Sequence, residues 1–341
     1  MLPLSVLDLS PVPEGSDPGT SLRNSGELAR HAEQLGYKRF WMAEHHSMPG
    51  IASAATAVAL AYVGAQTSTI RIGAGGIMLP NHAPLIIAEQ FGTLESLYPG
   101  RVDLGLGRAP GTDQAAAYAM RRNLNSDADQ FPRDVVELAG YFRGEQGRVR
   151  AIPGEGLNIP LWILGSSLYG AQLAAMLGLP YAFASHFAPQ MMMEAIKVYR
   201  ERFEPSEQLA EPYVMLGFNA IVADTDEEAQ LLATSVQQAF VSLRSGNAIK
   251  LPPPKSGYAD ELPLEARATL RQILSASAIG SPETARRQVA EFVERTRPDE
   301  LMVTAQVFDH QARLKSYKLL MDAVRQPEAH VPGSTDFVAG L

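Results

Sequence analysis

Residues 39–76, RFWMAEHHSMPGIASAATAVALAYVGAQTSTIRIGAGG, contain the pattern that decides the fold. An apolar run at residues 39–43 is followed by an alanine-rich segment at 54–66 and a second apolar run at 70–74. Short apolar runs that alternate with longer segments of helical periodicity are typical of βα units in a parallel sheet. We therefore interpret this stretch as a strand, a helix and a second strand.

The same alternation continues on both sides of this stretch. It predicts further strands at residues 4–8, 102–106, 161–164, 181–185, 213–222 and 301–305. A first helix is predicted at residues 24–35, and two helical segments precede the last strand. Eight strands with intervening helices indicate an α/β fold, a (β/α)8 TIM barrel forming a single domain over residues 1–341. Insertions are expected at about 111–130 and 244–263. The alternative, an open doubly wound sheet, usually has fewer strands.

Composition excludes several classes of protein. The chain has 341 residues, of which 46% are hydrophobic and 19% charged, values that argue against disorder. Its net charge of −8 disfavours a nucleic-acid partner, and the absence of cysteine excludes disulfides, thiolate metal sites and a cysteine nucleophile. No signal peptide is evident, and no apolar stretch reaches the roughly 20 residues that span a bilayer. We expect a soluble cytoplasmic protein without a membrane partner.

Chemistry in a barrel of this type is expected where the strands end, because active sites gather on that face. Glu44, His45 and His46 follow the second strand. Adjacent residues on an extended strand point to opposite faces, so they converge poorly on one metal ion, and the helical His-Glu-x-x-His arrangement is absent. We therefore expect no metal, and one histidine that faces the pocket. The alternative is a structural histidine.

Other strand ends carry glycine, arginine and serine. The glycines at 73–76 and 105–111 lack the dinucleotide-binding spacing and fit tight turns. Arg108 is interpreted as a cation beside a phosphate, or alternatively as part of a surface salt bridge. Ser166 and Ser167 precede a predicted helix, where hydroxyls and free N–H groups bind anions, although a serine there can simply cap the helix. Asp309 and His310 are either a catalytic pair or the start of the last helix. His82 and His186 are further candidates at strand ends, where Gln306 also lies.

Taken together, these strand ends resemble the bacterial luciferase-like flavin monooxygenase family. The matching segments are residues 39–46 (RFWMAEHH), 72–80 (IGAGGIMLP), 99–108 (PGRVDLGLGR) and 163–167 (ILGSS). The resemblance extends in order over nearly the whole chain. One departure concerns the reactive cysteine that true luciferase carries after the fourth strand, where this chain has Gly107 beside Arg108. Light emission is therefore not expected.

The resemblance implies a TIM barrel that binds reduced FMN at its C-terminal face. Ala74 and Gly75 would form a bulge, often with a non-proline cis peptide, that supports the flavin ring. The phosphate would be held by Arg108, Ser166 and Ser167, with Tyr169 and Gly170 nearby.

His45 matches the family's catalytic histidine, and the reaction implied is oxygenation of a small organic substrate by O2 through a flavin hydroperoxide. A separate NAD(P)H:flavin reductase would supply reduced FMN, and the chain would form a homodimer. The segment at 244–263 is a candidate lid. Two alternatives stay open, a deazaflavin-dependent hydride-transfer enzyme and a non-catalytic flavin-binding protein.

Overall fold

The structure is a computed structural model that describes residues 2–108, 119–120 and 130–325. Its strands are all parallel, and eight of them close into a barrel in the order β1-β2-β3-β4-β5-β6-β7-β9. The TIM-barrel prediction is therefore confirmed. The strands are β1 Leu4–Asp8, β2 Arg39–Met42, β3 Arg71–Met78, β4 Val102–Gly107, β5 Leu161–Gly165, β6 Tyr181–Phe183, β7 Val214–Val222, β8 Ser277–Gly280 and β9 Glu300–Thr304.

Helices lie between the strands and cover the outside of the barrel. They are α1 Pro18–Gln34, α2 Thr56–Ala65, α3 Pro84–Leu97, α4 Phe131–Arg143, α5 Leu168–Met176, α6 Met192–Arg202, α7 Asp226–Arg244, α8 Tyr258–Glu261, α9 Leu264–Ile273, α10 Pro282–Thr296 and α11 His310–Arg325. None of the helices in the described part of the chain is both long and apolar enough to cross a bilayer. The expected insertion at 111–130 lies almost wholly outside the described residues.

Two elements show the main differences from the sequence-based expectation. Strand β8 lies outside the barrel and pairs with the second half of β7, from Asn219 to Val222. No strand was expected there, because four residues of which only Ile279 is large and apolar show no period of their own. Helix α1 begins six residues earlier than expected, at Pro18, because Asp17 accepts a hydrogen bond from the Thr20 amide (3.0 Å) and proline suits the first helical turn.

The barrel interior has an apolar middle and a charged lower end. The apolar cluster consists of Leu7, Leu9, Trp41, Ala43, Trp162, Ala182, Met215 and Met302. Below it, at the amino ends of the strands, the guanidinium of Arg39 donates to both carboxylate oxygens of Glu300 (2.7 and 3.0 Å) and to Asp103 (2.8 Å). Burial alone would lower the pKa of Arg39, but the two carboxylates raise it above its ordinary value.

We name this group the lower ion cluster: Ser5, Arg39, Arg71, Asp103, Tyr213 and Glu300. Arg71 also binds Asp103 (3.0 and 2.6 Å), and the Tyr213 hydroxyl donates to Glu300 (2.8 Å). The carboxylates thus have multiple donors, as buried charges require. The cluster closes the end of the barrel opposite to the strand ends that carry the candidate site.

Candidate active site

A cavity of about 950 Å3 opens at the carboxyl ends of the barrel strands. It contains residues that follow six different strands, so the closed barrel brings together side chains far apart in sequence. Seven of the eight predicted site residues line it: His45, Gly75, Arg108, Ser166, Ser167, Tyr169 and Gly170. The side chain of Ala74 instead packs in the core between strands and helices, which leaves only its backbone to take part.

Strand β3 has a bulge where the resemblance places one. Ala74 pairs with Leu104 and Ile77 pairs with Leu106, so two glycines, Gly75 and Gly76, lie opposite a single residue of β4. The peptide between these glycines is cis, one position later than expected. A Cβ on Gly76 would lie 2.7 Å from the Gly105 carbonyl oxygen, so no side chain fits there.

With Gly107 of the next strand, these glycines form a side of the cavity that consists of backbone, here named the glycine wall: Gly75, Gly76 and Gly107. A Cβ on Gly75 would lie 2.9 Å from Leu7 and 3.0 Å from Trp41. Because no side chain projects from these three residues, a flat ligand can approach the backbone closely.

Glu44 connects the loop after β2 to the bulged strand. It is buried, and its Oε1 accepts hydrogen bonds from the Nε2 atoms of His46 (2.6 Å) and His82 (2.8 Å). Its Oε2 accepts from the Met78 amide (2.9 Å). Burial alone would raise the pKa of Glu44, but these donors hold it below its ordinary value, so the carboxylate is ionised at neutral pH.

The two adjacent histidines in the loop after β2 have different environments. His46 binds Glu44, whereas His45 lines the cavity. Burial lowers the pKa of His45 to about 4, a shift that the Glu44 charge opposes and His46 reinforces. The imidazole of His45 is therefore neutral at neutral pH.

The part of the cavity wall that follows β4 and β5 carries groups suited to an anion. The Arg108 guanidinium stacks on the Tyr169 ring, 4.1 Å from its centroid. Ser167 occupies the N-cap position of α5, yet within the described residues its side chain makes no capping hydrogen bond. Its hydroxyl and the first N–H groups of α5 are thus available to a ligand, which favours the anion site over simple capping.

The candidate lid segment lies over the cavity and is hydrogen-bonded to the loop after β1. The Leu251 amide donates to Val12 (2.9 Å) and its carbonyl accepts from Glu14 (2.8 Å). The Lys250 ammonium donates to the Ser16 carbonyl (2.7 Å). We name residues 246–251 the cover, because Gly246, Ala248, Ile249 and Leu251 line the cavity.

Other predicted residues have structural roles. Asp309 accepts from the Ala312 amide (2.8 Å) and precedes α11, so it starts the last helix as the second interpretation proposed. His310 lies 3.2 Å from Glu27 and does not line the cavity. In the described part of the chain, no group of three or more His, Asp or Glu side chains has an arrangement that could hold a metal ion.

Three more cavity residues are singled out by the structure: His186, Gly217 and Gln306. His186 and Gln306 were indicated by their positions after predicted strands, whereas sequence reasoning did not select Gly217. Gly217 lies inside a strand, where its relation to His186 depends on how β6 and β7 align.

Comparison with known proteins agrees with the observed fold. A family model described as luciferase-like monooxygenase matches residues 2–299. The chain belongs to the luciferase-like monooxygenase family. A luciferase-like monooxygenase of Escherichia coli (strain K12) is 53% identical over 320 residues, covering 93% of this chain and 96% of the relative. An N-acetyl-S-alkylcysteine monooxygenase of Bacillus subtilis (strain 168) is 33% identical over 259 residues, covering 74% and 77%.

Solved structures of similar proteins share the luciferase-like barrel. The crystal structure of apo-MsnO8 superposes with a TM-score of 0.84 at 35% identity, covering 95% of this chain and 98% of the other. At 18% and 16% identity two others share the fold alone. They are the FMN-bound oxygenating constituent of 3,6-diketocamphane monooxygenase from Pseudomonas putida (TM-score 0.70, 95% and 98% covered) and an F420-dependent secondary alcohol dehydrogenase (TM-score 0.66, 95% and 99% covered). Membership of the luciferase-like family indicates a monooxygenase or related oxidoreductase.

Proposed function

We propose that this protein is a monooxygenase that uses reduced FMN and O2 to oxygenate a small organic substrate. The observation that carries the proposal is a single cavity with a phosphate-type donor set and a glycine wall. Arg108, Ser166 and Ser167 provide a fork-shaped cation and two hydroxyls beside a helix N-terminus, which suit a terminal phosphate. The glycine wall leaves room for a flat ring.

The chain's own groups would bind the flavin and control protons. When bound, reduced FMN supplies the electrons with which one oxygen atom of O2 enters the substrate and the other leaves as water. A neutral His45 has one protonated and one free ring nitrogen, so it can accept a proton and donate another near neutral pH. The cover excludes water from the reacting groups.

The substrate proposed is a small, largely apolar compound, and an S-alkyl thioether is the first to test. The side chains lining the cavity are mostly apolar, among them Met48, Phe183, Met215 and Met302. A relative at 33% identity is named for N-acetyl-S-alkylcysteine, which contains a thioether sulfur.

Three further parts of the proposal concern the setting of the reaction. A separate NAD(P)H:flavin reductase would supply reduced FMN in the cytoplasm.

The chain would form a homodimer through the helices of its first half. In support, Val58 of α2 and Leu97 of α3 are apolar yet 73% and 59% exposed. Sedimentation of the purified chain tests the dimer.

The decisive experiment compares FMN with riboflavin, which lacks the phosphate. We expect Arg108→Ala to weaken FMN binding roughly tenfold or more and to leave riboflavin binding unchanged, because the guanidinium would contact only the phosphate. Arg143→Ala, which removes an exposed arginine paired with Glu145, is the matched control. An equal loss for both flavins would contradict the phosphate assignment.

The same binding assay distinguishes the alternatives. Tighter binding of deazaflavin than of FMN would favour hydride transfer over oxygenation. Binding of reduced FMN without oxygenation of any thioether in a panel, and with peroxide as the sole product, would favour a flavin-binding protein. We expect oxygenated thioether and water instead.

A further inference from the structure

A second imidazole faces His45 across the barrel mouth. His186 follows β6, and in the closed ring of eight strands β6 lies opposite β2, which His45 follows. Both rings line the same cavity. The Nδ1 atoms of both are shielded from solvent, and within the described residues neither has a hydrogen-bond partner. Buried polar atoms are almost always partnered in proteins, so two unpartnered imidazoles that line one cavity point to a ligand between them.

The position of His186 is fixed by its backbone and by a glycine. Its carbonyl accepts from Asn219 Nδ2 (2.6 Å), and its neighbour Ser185 donates to the Gly217 carbonyl (2.7 Å). A Cβ on Gly217 would lie 2.2 Å from His186 Nδ1. The ring also packs edge-on against Phe187, with centroids 5.1 Å apart. The fold therefore holds this imidazole in place without using its nitrogens.

We infer that His186 is a second ligand-contacting imidazole, which together with His45 holds a polar atom of the bound ligand between the two rings. The inference rests on the proposed function, since the ligand is the flavin and substrate placed in this cavity. Burial, followed by the nearby His45, lowers the pKa of His186 to about 4. Both rings thus keep one donor and one acceptor nitrogen at neutral pH, so one can accept a proton while the other donates.

The test uses the full chain with 15N-labelled histidine, first with FMN and then with an N-acetyl-S-alkylcysteine added. We expect the ring-nitrogen signals of both His45 and His186 to shift when the ligands fill the cavity. His31 is an internal control, because its Nε2 binds the Leu314 carbonyl (3.1 Å) away from the cavity. A shift of His45 without one of His186 would overturn the inference and leave the proposed function standing. Failure of FMN to bind at all would overturn both.

Gly217→Ala provides an independent test, because the added methyl group displaces the His186 ring without removing a polar group. We expect roughly tenfold less oxygenated thioether per reduced FMN. The double variant His186→Ala/Gly217→Ala should be no worse than His186→Ala alone, since the ring that the new methyl group meets is gone. Additive losses would show that Gly217 acts through something other than His186.

Phe187→Ala is the matched control for a structural role. It removes a neighbouring ring without removing a nitrogen. We expect free imidazole to restore activity to His186→Ala and not to Phe187→Ala, whereas rescue of neither or of both would contradict a ligand contact by His186.

Discussion

The neutral histidines of the cavity make the stability of this protein depend on pH. Burial holds the pKa of His45 and of His186 at about 4, compared with an ordinary value of 6.5. Between these values the unfolded chain binds a proton at each imidazole and the folded chain does not. Acid therefore favours the unfolded state over this interval.

We expect the free energy of unfolding to fall as the pH drops from 6.5 to 4, by roughly 1.4 kcal/mol per pH unit for each of the two histidines. Urea unfolding at several pH values measures the slope. His45→Gln and His186→Gln should each reduce this slope by roughly 1.4 kcal/mol per pH unit, the contribution of one histidine, whatever they do to stability at neutral pH. An unchanged slope in both variants would show that these rings are not buried as neutral groups.

At the scale of single elements, the bulge of β3 depends on the absence of a side chain at Gly76. An added Cβ would lie 2.7 Å from the Gly105 carbonyl oxygen. Because this oxygen belongs to the backbone of β4, a shift that relieved the contact would cost free energy. We expect Gly76→Ala to destabilise the protein by about 1–3 kcal/mol and to weaken FMN binding.

Gly107→Ala is the control for this prediction, because Gly107 lies on the same glycine wall. The nearest neighbour of its Cβ would be the Ile77 carbonyl oxygen, at 3.8 Å. Gly107→Ala should change the free energy of unfolding by no more than about 0.5 kcal/mol. Denaturant unfolding measures both variants, and equal losses would contradict the steric explanation.

The cover is a separate element whose attachment can be tested without disturbing the barrel. Lys250 donates to the Ser16 carbonyl, which ties the cover to the loop after β1. We expect Lys250→Met to weaken this attachment by roughly 1 kcal/mol, or about fivefold in the rate of amide exchange at Glu14 and Leu251.

Lys255→Met serves as the control, because Lys255 pairs with the exposed Glu261 further along the same segment. It should leave the exchange at Glu14 and Leu251 unchanged. Hydrogen exchange followed by mass spectrometry gives both results. Faster exchange across the whole barrel in Lys250→Met would mean that the cover contributes to global stability.

At the scale of the whole molecule, the lower ion cluster supports the barrel from the end opposite to the cavity. Arg39 is buried and forms ion pairs with both Glu300 and Asp103. We expect Arg39→Met to destabilise the fold by about 3–5 kcal/mol, since it leaves two buried carboxylates with fewer donors. Flavin affinity of the folded fraction should not change, because the cluster does not line the cavity.

The control for the lower ion cluster is Arg143→Met, which breaks an exposed ion pair with Glu145. It should lower the free energy of unfolding by less than about 1 kcal/mol. Thermal or urea unfolding measures both. A small loss in Arg39→Met would show that water or a neighbouring cation replaces the guanidinium.

The fold was predictable from sequence because the barrel strands are buried on both faces and appear as continuous apolar runs. Strand β8 has no such run and forms because β7 extends beyond the barrel and offers an unpaired edge. The start of α1 was predictable in principle, since Asp17 and Pro18 form a capping sequence. It was missed because the surrounding residues are typical of a loop.

The site was only partly predictable. Residues at strand ends, such as His45 and Arg108, follow from the barrel rule and the family resemblance. The approach of Gly217 to His186 depends on the alignment of two strands, in which Phe183 pairs with Leu216. The donation of His82 to Glu44 likewise joins residues 38 apart in sequence. Such contacts arise from register and loop path, which apolar periodicity does not specify.

The glycine wall has a stereochemical consequence. A flat ring that lies against Gly75, Gly76 and Gly107 has one face covered by backbone, so a substrate can reach only the other face. Oxygen is then delivered from a fixed direction, and the two lone pairs of a thioether sulfur are not equivalent within the chiral cavity. We expect a prochiral thioether to give one sulfoxide enantiomer in excess, as chiral chromatography would show. The handedness of the product would thus originate in three residues that have no side chain.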